Sequence, residues 1–471
     1  MTPYAVLATI LAYFAAMAAV SFLSGRGKAG KDVFYTGGRK THWAVVTFAM
    51  IGACMSGVTY VSVPGMVGVS GFGYLQMCIG FFLGYLVIAF VLTPLYFRLE
   101  VVSIYQYLEK RFGLGAYRTG AWFFFLSKML GASVRLFLVC LTLQLLLFGP
   151  LGLPFWLNVL CNVGICFAYT FRSGVKSVIW NDVLKTLCMI VAVTLCIVLI
   201  GRDLGGVRIQ EKVFFFDDVN HPQYFWKQLL GGLFTVVAMT GLDQDMMQRT
   251  LSCRNTRDSQ KNLVVSSLLQ TAVIALFLCL GALLYQYAAA HGIAETGDRL
   301  FPAVATGGGL PGVVGVLFVL GLVSSAYGAG GSALTSLTTS FTVDILHKGN
   351  EEKVRKGVHV GMAALMAVTV IVFNALNSTS AIDAVYKLAS YTYGPILGLF
   401  AFGILTRKQV KDKYVPLVAL AAPAICLVLQ LNSERWFGGY RFSYELLLVN
   451  AALTFLGLLL LIRRDGRRTR E

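Results

Sequence analysis

Residues 43–73 read WAVVTFAMIGACMSGVTYVSVPGMVGVSGFG, and this stretch decides the fold of the chain. It begins as an ordinary apolar membrane helix, but glycine, serine, threonine and proline interrupt it from Gly52 onward. Pro64 has no backbone N–H, and each glycine lowers helix propensity. In lipid, unpaired backbone groups are tolerated only where protein or a water-filled cavity satisfies them. The stretch therefore predicts a helix that breaks at membrane depth and lines a site, with a Pro-kinked packing helix as the simpler alternative.

The composition of the whole chain is that of a membrane protein. Of 471 residues, 57% are hydrophobic and 13% are charged, and the mean hydropathy is +0.72. Soluble domains carry about 25% charged residues. Repeated apolar runs of about 20 residues predict an all-α polytopic membrane protein with about thirteen transmembrane helices. No linker divides the chain, so residues 1–471 are predicted to form a single transmembrane domain.

The basic residues predict how the chain is oriented in the membrane. With the N-terminus outside, 28 of the 39 Lys and Arg residues fall in cytoplasmic loops or in the C-terminal tail, and seven fall in outside loops. This asymmetry follows the positive-inside rule, so topology explains the net charge of +17 better than nucleic-acid binding does. We expect a multi-pass protein of a bacterial-type inner (plasma) membrane, with its N-terminus outside and its C-terminus cytoplasmic.

A few ionisable residues lie inside the predicted spans, where charges are costly and usually face a partner or a wet cavity. Lys128 and Arg135 are seven residues apart and so share one face of their helix. Asp182 lies near the cytoplasmic start of one span, together with Lys185, and Asp243 lies near the cytoplasmic end of the next. Arg135 is therefore predicted either to pair with one of these aspartates or to bind a ligand, since a guanidinium fits a carboxylate bidentately.

Four stretches resemble the sodium/solute symporter family, which includes sodium–proline, sodium–glucose or galactose, and sodium–sialic acid carriers. They are FYTGGR at 34–39, MSGVTYVSVPG at 55–65, YLEKRFG at 107–113 and DQDMMQR at 243–249. The segment SFTVDI at 340–345 is also similar to the family. The motifs cover most of the chain in the family's order, so together they are fairly specific, although each alone is weak.

The resemblance implies a LeuT-type inverted five-helix repeat. The first repeat is expected at residues 43–200 and the second at residues 226–405, followed at residues 406–471 by C-terminal helices and a basic tail. An odd number of spans between equivalent helices inverts the second repeat, which is a recurring transporter plan with a site near the membrane midplane. The helix over about 226–248 is expected to be one span, and glycines predict a break in the helix over about 312–346.

The resemblance also implies Na⁺ as the coupling ion. The positions of the family's common sodium site fall on Gly52, Met55, Ser325, Gly328 and Ala329. The first three would offer backbone carbonyls, whereas Gly328 and Ala329 stand where the family has hydroxyls. Because hard cations take about six oxygen ligands, these two residues predict weak or absent sodium dependence through the common site.

A second sodium site, found in some members of the family, is matched in part by Asp182 and Ser332, although Gly331 departs from it. The resemblance places the substrate contacts at Ser56, Thr59, Arg135, Asp243 and Gln244. Arg135 is similar to the arginine that holds the carboxylate in sialic acid carriers. Packing between helices is the simpler interpretation of Ser56 and Thr59, because small polar residues commonly join membrane helices.

These features predict a secondary active transporter of a small organic solute, anionic or sugar-like, that alternates access to a midplane site. The alternative keeps the fold without sodium drive, as a proton-coupled, uncoupled or solute-sensing protein. A membrane enzyme or an ion channel is less well supported, because the sequence has no evident nucleophile–base pair, metal-ligand spacing or pore-loop repeat. The expected partners are a small-molecule substrate and the lipid bilayer, without nucleic acid or an obligate protein partner.

Overall fold

The structure is a computed structural model that describes most of the chain. The described residues are 2–24, 40–99, 103–171, 175–205, 214–219, 221, 223–307, 309–348, 351–376, 381–440, 442 and 444–463. The motif at 34–39 and the basic tail beyond residue 463 lie outside these ranges.

The helices are numbered α1 to α17 in chain order. The first eight are α1 Pro3–Ser24, α2 Trp43–Cys54, α3 Gly57–Ser70, α4 Tyr74–Leu99, α5 Gln106–Arg111, α6 Leu114–Phe148, α7 Phe155–Thr170 and α8 Val175–Asp203. The others are α9 Phe225–Gly241, α10 Gln244–Thr250, α11 Thr256–His291, α12 Leu300–Thr306, α13 Gly312–Ile345, α14 Glu352–Leu376, α15 Ala381–Leu405, α16 Val415–Trp436 and α17 Leu446–Leu460.

The predicted all-α polytopic architecture is confirmed. Within the described ranges, nine helices are long and apolar enough to cross a membrane. Two bent pairs, α2 with α3 and α9 with α10, raise the number to eleven if each pair is one span. The shorter apolar helices α7 and α17 would have to cross as well to give thirteen spans, and that number stays a prediction.

The predicted break within residues 43–73 is confirmed, and α2 and α3 meet at an angle of 62°. The break lies at Met55 and Ser56, whose backbones are extended (φ −83°, ψ 119° and φ −117°, ψ 177°). Pro64 lies inside α3 and does not mark the break. The hydroxyl oxygen of Thr59 accepts a hydrogen bond from the Ser56 N–H at 3.4 Å, so a side chain replaces part of the lost backbone bonding at the start of α3.

The span predicted over about 226–248 contains a sharp bend that the sequence did not predict. Helix α9 ends in a π turn at Val237–Gly241, and the axis then bends by 75° into α10. Asp243 has extended backbone, and its carboxylate accepts hydrogen bonds from the N–H groups of Asp245 and Met246 at 2.9 and 3.2 Å. The aspartate thus caps a new helix, because the first N–H groups of a helix have no partner within it.

The expectation of a break in the glycine-rich part of α13 is wrong. The α-helix is continuous over Gly312–Ser340 and ends in a π turn at Phe341–Ile345. Its glycines serve close packing instead. A Cβ atom at Gly330 would lie 2.9 Å from the sulfur of Cys166, and a Cβ atom at Gly331 would overlap the ring of Tyr169. Buried packing on several sides therefore outweighs the low helix propensity of glycine.

Glycines also set the distance between α4 and α9. A Cβ atom at Gly80 would lie 2.9 Å from the backbone nitrogen of Leu233, and one at Gly232 would lie 3.0 Å from Met77 Cγ. Small residues let the backbones of membrane helices approach closely. The close packing of α4 against α9 therefore depends on glycine at positions 80 and 232.

Replacing Gly80 by alanine is expected to lower the thermal unfolding midpoint of the purified protein, because overpacking costs about 1–3 kcal/mol. Gly164→Ala is the matched control. A Cβ atom at Gly164 meets no neighbouring group of the described residues within 4 Å, and alanine favours the helix. Equal midpoints for the two variants, measured in the same detergent, would contradict this packing.

Candidate functional site

The break between α2 and α3 lies at a central cavity of about 110 Å³. Side chains of α4, α6, α9, α10, α11 and α15 complete its wall. Four predicted substrate contacts, Ser56, Thr59, Arg135 and Asp243, line the cavity, as does Met55. The fold therefore brings Ser56 and Asp243, which are 187 positions apart in the sequence, to the same cavity.

One wall of the cavity is a buried ion pair between α6 and the bend after α9. Lys128 Nζ lies 3.0 Å from Asp243 Oδ2 and 3.1 Å from Asp245 Oδ2. The hydroxyl of Tyr393 donates to Asp243 Oδ2 at 2.8 Å. The Asp243 carboxylate therefore already contacts the ammonium of Lys128, the hydroxyl of Tyr393 and the first N–H groups of α10. A solute that contacts this carboxylate meets an oxygen that is already bonded.

A second buried network lies behind this wall and centres on Arg249. Its Nε donates to Asp182 Oδ2 at 3.0 Å, and its Nη1 lies 2.7 Å from Asp245 Oδ1. Its Nη2 donates to the hydroxyl of Ser332 at 2.5 Å. Arg249 and Asp182 are each no more than 2% exposed. Four hydrogen-bonding contacts, including one from Nη1 to the Asp245 carbonyl at 2.9 Å, thus compensate the burial of this guanidinium.

Arg135 differs from these cations because it has no ion-pair or hydrogen-bond partner among the described residues. The two aspartates considered as partners are bound elsewhere, since Asp182 pairs with Arg249 and Asp243 pairs with Lys128. Arg135 lines the cavity and interacts electrostatically with Tyr386 and Tyr393. A cavity-lining guanidinium with free donors can bind a carboxylate through two parallel hydrogen bonds.

The positions of the common sodium site meet where α2, α8 and α13 pack together. A Cβ atom at Gly52 would lie 2.5 Å from the carbonyl oxygen of Asp182. A Cβ atom at Gly57, just after the break, would lie 3.6 Å from the hydroxyl oxygen of Ser325. That hydroxyl donates to the carbonyl of Leu322 at 2.7 Å. Helix α13 remains continuous here, so its backbone carbonyls are not released by a break.

Gly328 and Ala329 offer no side-chain oxygen at this junction, and the space beside Gly328 is filled by a lysine. Lys185 Cδ and Nζ would lie 2.8 and 3.6 Å from a Cβ atom at Gly328. An ammonium group next to the position of the ion repels sodium. The residues present at the common site therefore do not fit a bound Na⁺.

The second sodium site is matched by Asp182 and Ser332, and the structure does place them close together. Both bind Arg249, and the Ser332 hydroxyl also lies 2.9 Å from Asp245 Oδ1. The side chains that would hold an ion at this site are thus engaged with a guanidinium. In the described part of the chain, no cluster of three or more His, Cys, Asp or Glu residues could hold a metal ion.

Gln244 is not among the residues that line the cavity. Its side-chain oxygen accepts a hydrogen bond from the N–H of Ile104 at 2.8 Å, so it joins the start of α10 to the segment before α5. The structure gives no support for a substrate contact at this residue. Ser56, Thr59, Arg135 and Asp243 remain as the candidate contacts, and their role in binding stays a prediction.

Three residues of the site were not identified from the sequence. Arg249 bridges elements 67 residues apart, Tyr393 binds Asp243, and Lys185 fills the space at Gly328. Of these three residues, only Lys185 could have been assigned to the site from the sequence. It follows Asp182 by three positions and so shares a helix face with a predicted sodium ligand.

Comparisons with known proteins identify the family of the chain and several relatives. A profile of the sodium:solute symporter family matches residues 34–412. A sodium/sialic acid symporter of Aliivibrio fischeri is 27% identical over 435 residues, which cover 85% of this chain and 82% of that protein. The sodium-coupled monocarboxylate transporter 1 of Mus musculus is 26% identical over 85% of this chain and 69% of that protein.

The fold is shared with solved transporters. The structure of a Na⁺-coupled sialic acid symporter in a substrate-bound outward-open state is similar over 98% of this chain and 99% of its own length. The TM-score is 0.79 at 18% sequence identity, which shows the LeuT-type fold predicted from the sequence. The matching profile covers most of the chain and describes a family of transporters. The chain therefore belongs to the sodium:solute symporter family.

Proposed function

We propose that this chain is a secondary active transporter that binds a small organic anion in the central cavity. The observation that carries the proposal is Arg135, a cavity-lining guanidinium without an ion-pair partner among the described residues, beside the breaks of both bent helices. Lys128 and Arg249 pair with the three aspartates Asp182, Asp243 and Asp245, and Arg135 takes no part in these ion pairs. A carboxylate is the group that matches this charge and its fork-shaped donors.

Two relatives support a carboxylate as the recognised group. The symporter of Aliivibrio fischeri carries sialic acid, and the mouse transporter carries monocarboxylates, according to their names. Both classes of solute contain a carboxylate but differ in size and in their other polar groups. The shared feature is the one that Arg135 can bind, while Ser56 and Thr59 line the same cavity, where the rest of the solute would lie.

The proposal is tested by ligand-induced stabilisation of the purified protein, because a ligand that binds the native state raises the unfolding midpoint. The probes are sialic acid, lactate and, as a neutral sugar, galactose. At least one carboxylate is expected to raise the midpoint in proportion to the logarithm of its concentration, and galactose is expected to have no effect. Stabilisation by galactose alone would contradict the proposal.

The two expected repeats fit an alternating-access carrier. We propose that residues 43–200 and 226–405 are the inverted repeats and that residues 406–471 form an appended C-terminal segment. Each repeat begins with a bent helix, of 62° in α2–α3 and 75° in α9–α10. Bent helices at equivalent places near the midplane are what this class of transporter uses to build its substrate site.

We also propose that the N-terminus is outside a bacterial-type plasma membrane and the C-terminus is cytoplasmic. The basic asymmetry of the loops supports this orientation. Thr2→Cys is expected to react with a membrane-impermeant maleimide in intact cells, whereas Glu471→Cys is expected to react only after permeabilisation. The native chain, with its ten cysteines, is the background control. Labelling of Glu471→Cys in intact cells would contradict the orientation.

A further inference from the structure

A second cavity lies outside the substrate site, where α7, α13 and α14 meet. It has a volume of about 30 Å³ and is lined by the end of α7, the last three turns of α13 and the first two turns of α14. Its described lining consists of four threonines, two basic residues, one histidine and one phenylalanine, and none of these residues is acidic. The cavity is therefore polar and positively charged, and the proposed transport function does not account for it.

His359 joins the three helices at this cavity. Its side chain is buried, and the residue is only 6% exposed. Its Nε2 lies 3.2 Å from the hydroxyl oxygen of Thr170 on α7, and its Nδ1 lies 2.8 Å from that of Thr338 on α13. Both threonine hydroxyls also donate to carbonyls of their own helices at 2.7 Å. These bonds hold the polar lining in place, so the cavity is preorganised.

Three further side chains offer hydrogen-bond donors to a ligand. Thr339 of α13 is half-buried, and its hydroxyl has no hydrogen-bond partner among the described residues. Arg355 of α14 is also half-buried and interacts electrostatically with His359. Lys356 is exposed, and its ammonium lies 2.9 Å from a carboxylate oxygen of Glu352. Exposed ion pairs of this kind contribute little to stability, so the ammonium can turn from Glu352 to a stronger anion.

The segment that leads into α14 carries an excess of positive charge. Residues 348–356 contain four basic and two acidic residues, which leaves a net charge of +2. Both acidic residues are paired, Glu351 with Lys348 at 3.5 Å and Glu352 with Lys356 at 2.9 Å. A net positive segment beside a polar cavity raises the local concentration of anions. The ligand class that suits the cavity is therefore anionic.

The size of the cavity and the placement of its donors indicate which anion fits. One water-sized group needs about 10–15 Å³ of such volume, so a cavity of about 30 Å³ holds two or three of them. A whole organic solute needs more space, such as the central cavity of about 110 Å³. A phosphate group has tetrahedral oxygens, so one oxygen can accept from Thr339 on α13 while others accept from Arg355 and Lys356 on α14.

The cavity lies at the depth of lipid headgroups. The apolar span of α14 begins at Glu352 and has 24 residues, so it is about 36 Å long, against about 30 Å for the hydrocarbon core. Its first turns, which carry Arg355 and His359, therefore lie near the membrane surface. With the orientation proposed above, this surface is cytoplasmic, and basic pockets between membrane helices on that side bind phosphorylated headgroups. Phe171, which borders the cavity, is 38% exposed and offers an apolar edge to an acyl chain.

We propose that this cavity binds one phosphate group, through the side chains of Thr339, Arg355 and Lys356, at the junction of α7, α13 and α14. The group belongs either to a phospholipid headgroup or to free inorganic phosphate, which present the same kind of oxygens. The bound anion stabilises the folded protein, because it links α13 to α14 and offsets the positive charge of residues 348–356. The site does not use the substrate cavity, so it stands independently of the proposed transport function.

The test measures the thermal unfolding midpoint of the purified protein after delipidation in a neutral detergent. One probe is inorganic phosphate, with chloride at equal ionic strength as the reference. The other is dioctanoyl phosphatidylglycerol, with dioctanoylglycerol as the reference that lacks phosphate. At least one phosphate probe is expected to raise the midpoint in proportion to the logarithm of its concentration. A response to the lipid alone assigns a headgroup, and a response to inorganic phosphate assigns a soluble phosphate.

Two double variants separate the cavity from the general charge of the segment. Arg355→Ala/Lys356→Ala is expected to lower the apparent affinity for the phosphate probe by about 10-fold or more, because hydrogen bonds to a charged group are lost. Lys348→Ala/Lys353→Ala removes the same charge from the same segment outside the cavity lining, and it is expected to keep most of the affinity. Equal losses in the two variants would overturn the proposal. Two other results would do so as well, namely no response of the native chain to either phosphate probe, or equal responses to phosphatidylglycerol and dioctanoylglycerol without a response to inorganic phosphate.

A smaller substitution covers the case in which the first double variant does not fold. Thr339→Val replaces only a hydroxyl by a methyl group, and it is expected to weaken binding of the phosphate probe about fivefold through the loss of one donor. Thr369→Val on α14 is the matched control, because its exposed hydroxyl donates to the carbonyl of Leu365 at 2.7 Å, away from the cavity. Native affinity in a folded Thr339→Val protein would show that the phosphate is bound elsewhere and would overturn the proposed site.

Discussion

Replacing Arg135 by alanine is expected to lower the affinity for a carboxylate solute by about 10-fold or more, because a hydrogen bond to a charged group contributes about 1.5–3 kcal/mol. Arg135→Lys keeps the charge but loses the planar fork, so it is expected to recover only part of the affinity. Binding is measured by titration calorimetry with the carboxylate that stabilises the native chain.

The control for this prediction is on the same helix. Arg118 is exposed near the start of α6, so Arg118→Ala should bind the carboxylate like the native chain. Comparing two arginine deletions in one helix separates the loss of a specific contact from a general loss of positive charge. Native affinity in a folded Arg135→Ala protein would show that the solute is held elsewhere.

Arg249→Ala is expected to destabilise the fold more than any surface substitution. It leaves the buried Asp182 without its ion-pair partner and Asp245 with Lys128 alone, and breaking a buried ion pair costs about 3–5 kcal/mol. The thermal midpoint and the yield of monodisperse protein are both expected to fall. Lys356→Ala is the control, because the Lys356–Glu352 pair is exposed and such pairs contribute about 0–1 kcal/mol.

A compensating variant separates charge from packing in the Arg249 network. Arg249→Ala combined with Asp182→Asn removes one stranded charge, so its midpoint is expected to be higher than that of Arg249→Ala alone. If Arg249→Ala has the same midpoint as Lys356→Ala, the network does not stabilise the folded state and the proposed arrangement is wrong.

The first break of the fold was predictable because its chemistry is local. Glycine, serine and proline are frequent from Gly52 to Gly73, and this composition predicts an interrupted membrane helix. The positions of these residues did not show where the helix breaks. Pro64 lies inside α3, whereas the residues with extended backbone are Met55 and Ser56.

Tertiary packing overrode local propensity in the second half of the chain. Three glycines within four residues of α13 read as a break, but close approach of Cys166 and Tyr169 keeps the helix intact. The bend between α9 and α10 has a weaker signal, namely Gly241 followed by Asp243 as a helix cap. A cap inside an apolar span is visible in the sequence only when the break is already suspected.

The pairing of the buried charges could not be read from the sequence. Lys128, Arg135 and Arg249 were all available to Asp182 and Asp243, and the choice depends on helix positions set by the whole fold. What the sequence did supply was the set of charges and the absence of hydroxyls at 328 and 329. The structure adds the reason for that absence, which is the side chain of Lys185.

The central claim, that the chain carries a small organic anion through the cavity at Arg135, is tested most directly by solute counterflow. Proteoliposomes are preloaded with unlabelled sialic acid or lactate and diluted into a trace of the labelled solute, in sodium or in choline buffer. The account predicts transient, saturable accumulation of at least one label, retained in Arg118→Ala and lost in Arg135→Ala. A flux that neither saturates nor shows counterflow, or counterflow that Arg135→Ala leaves intact, would contradict it.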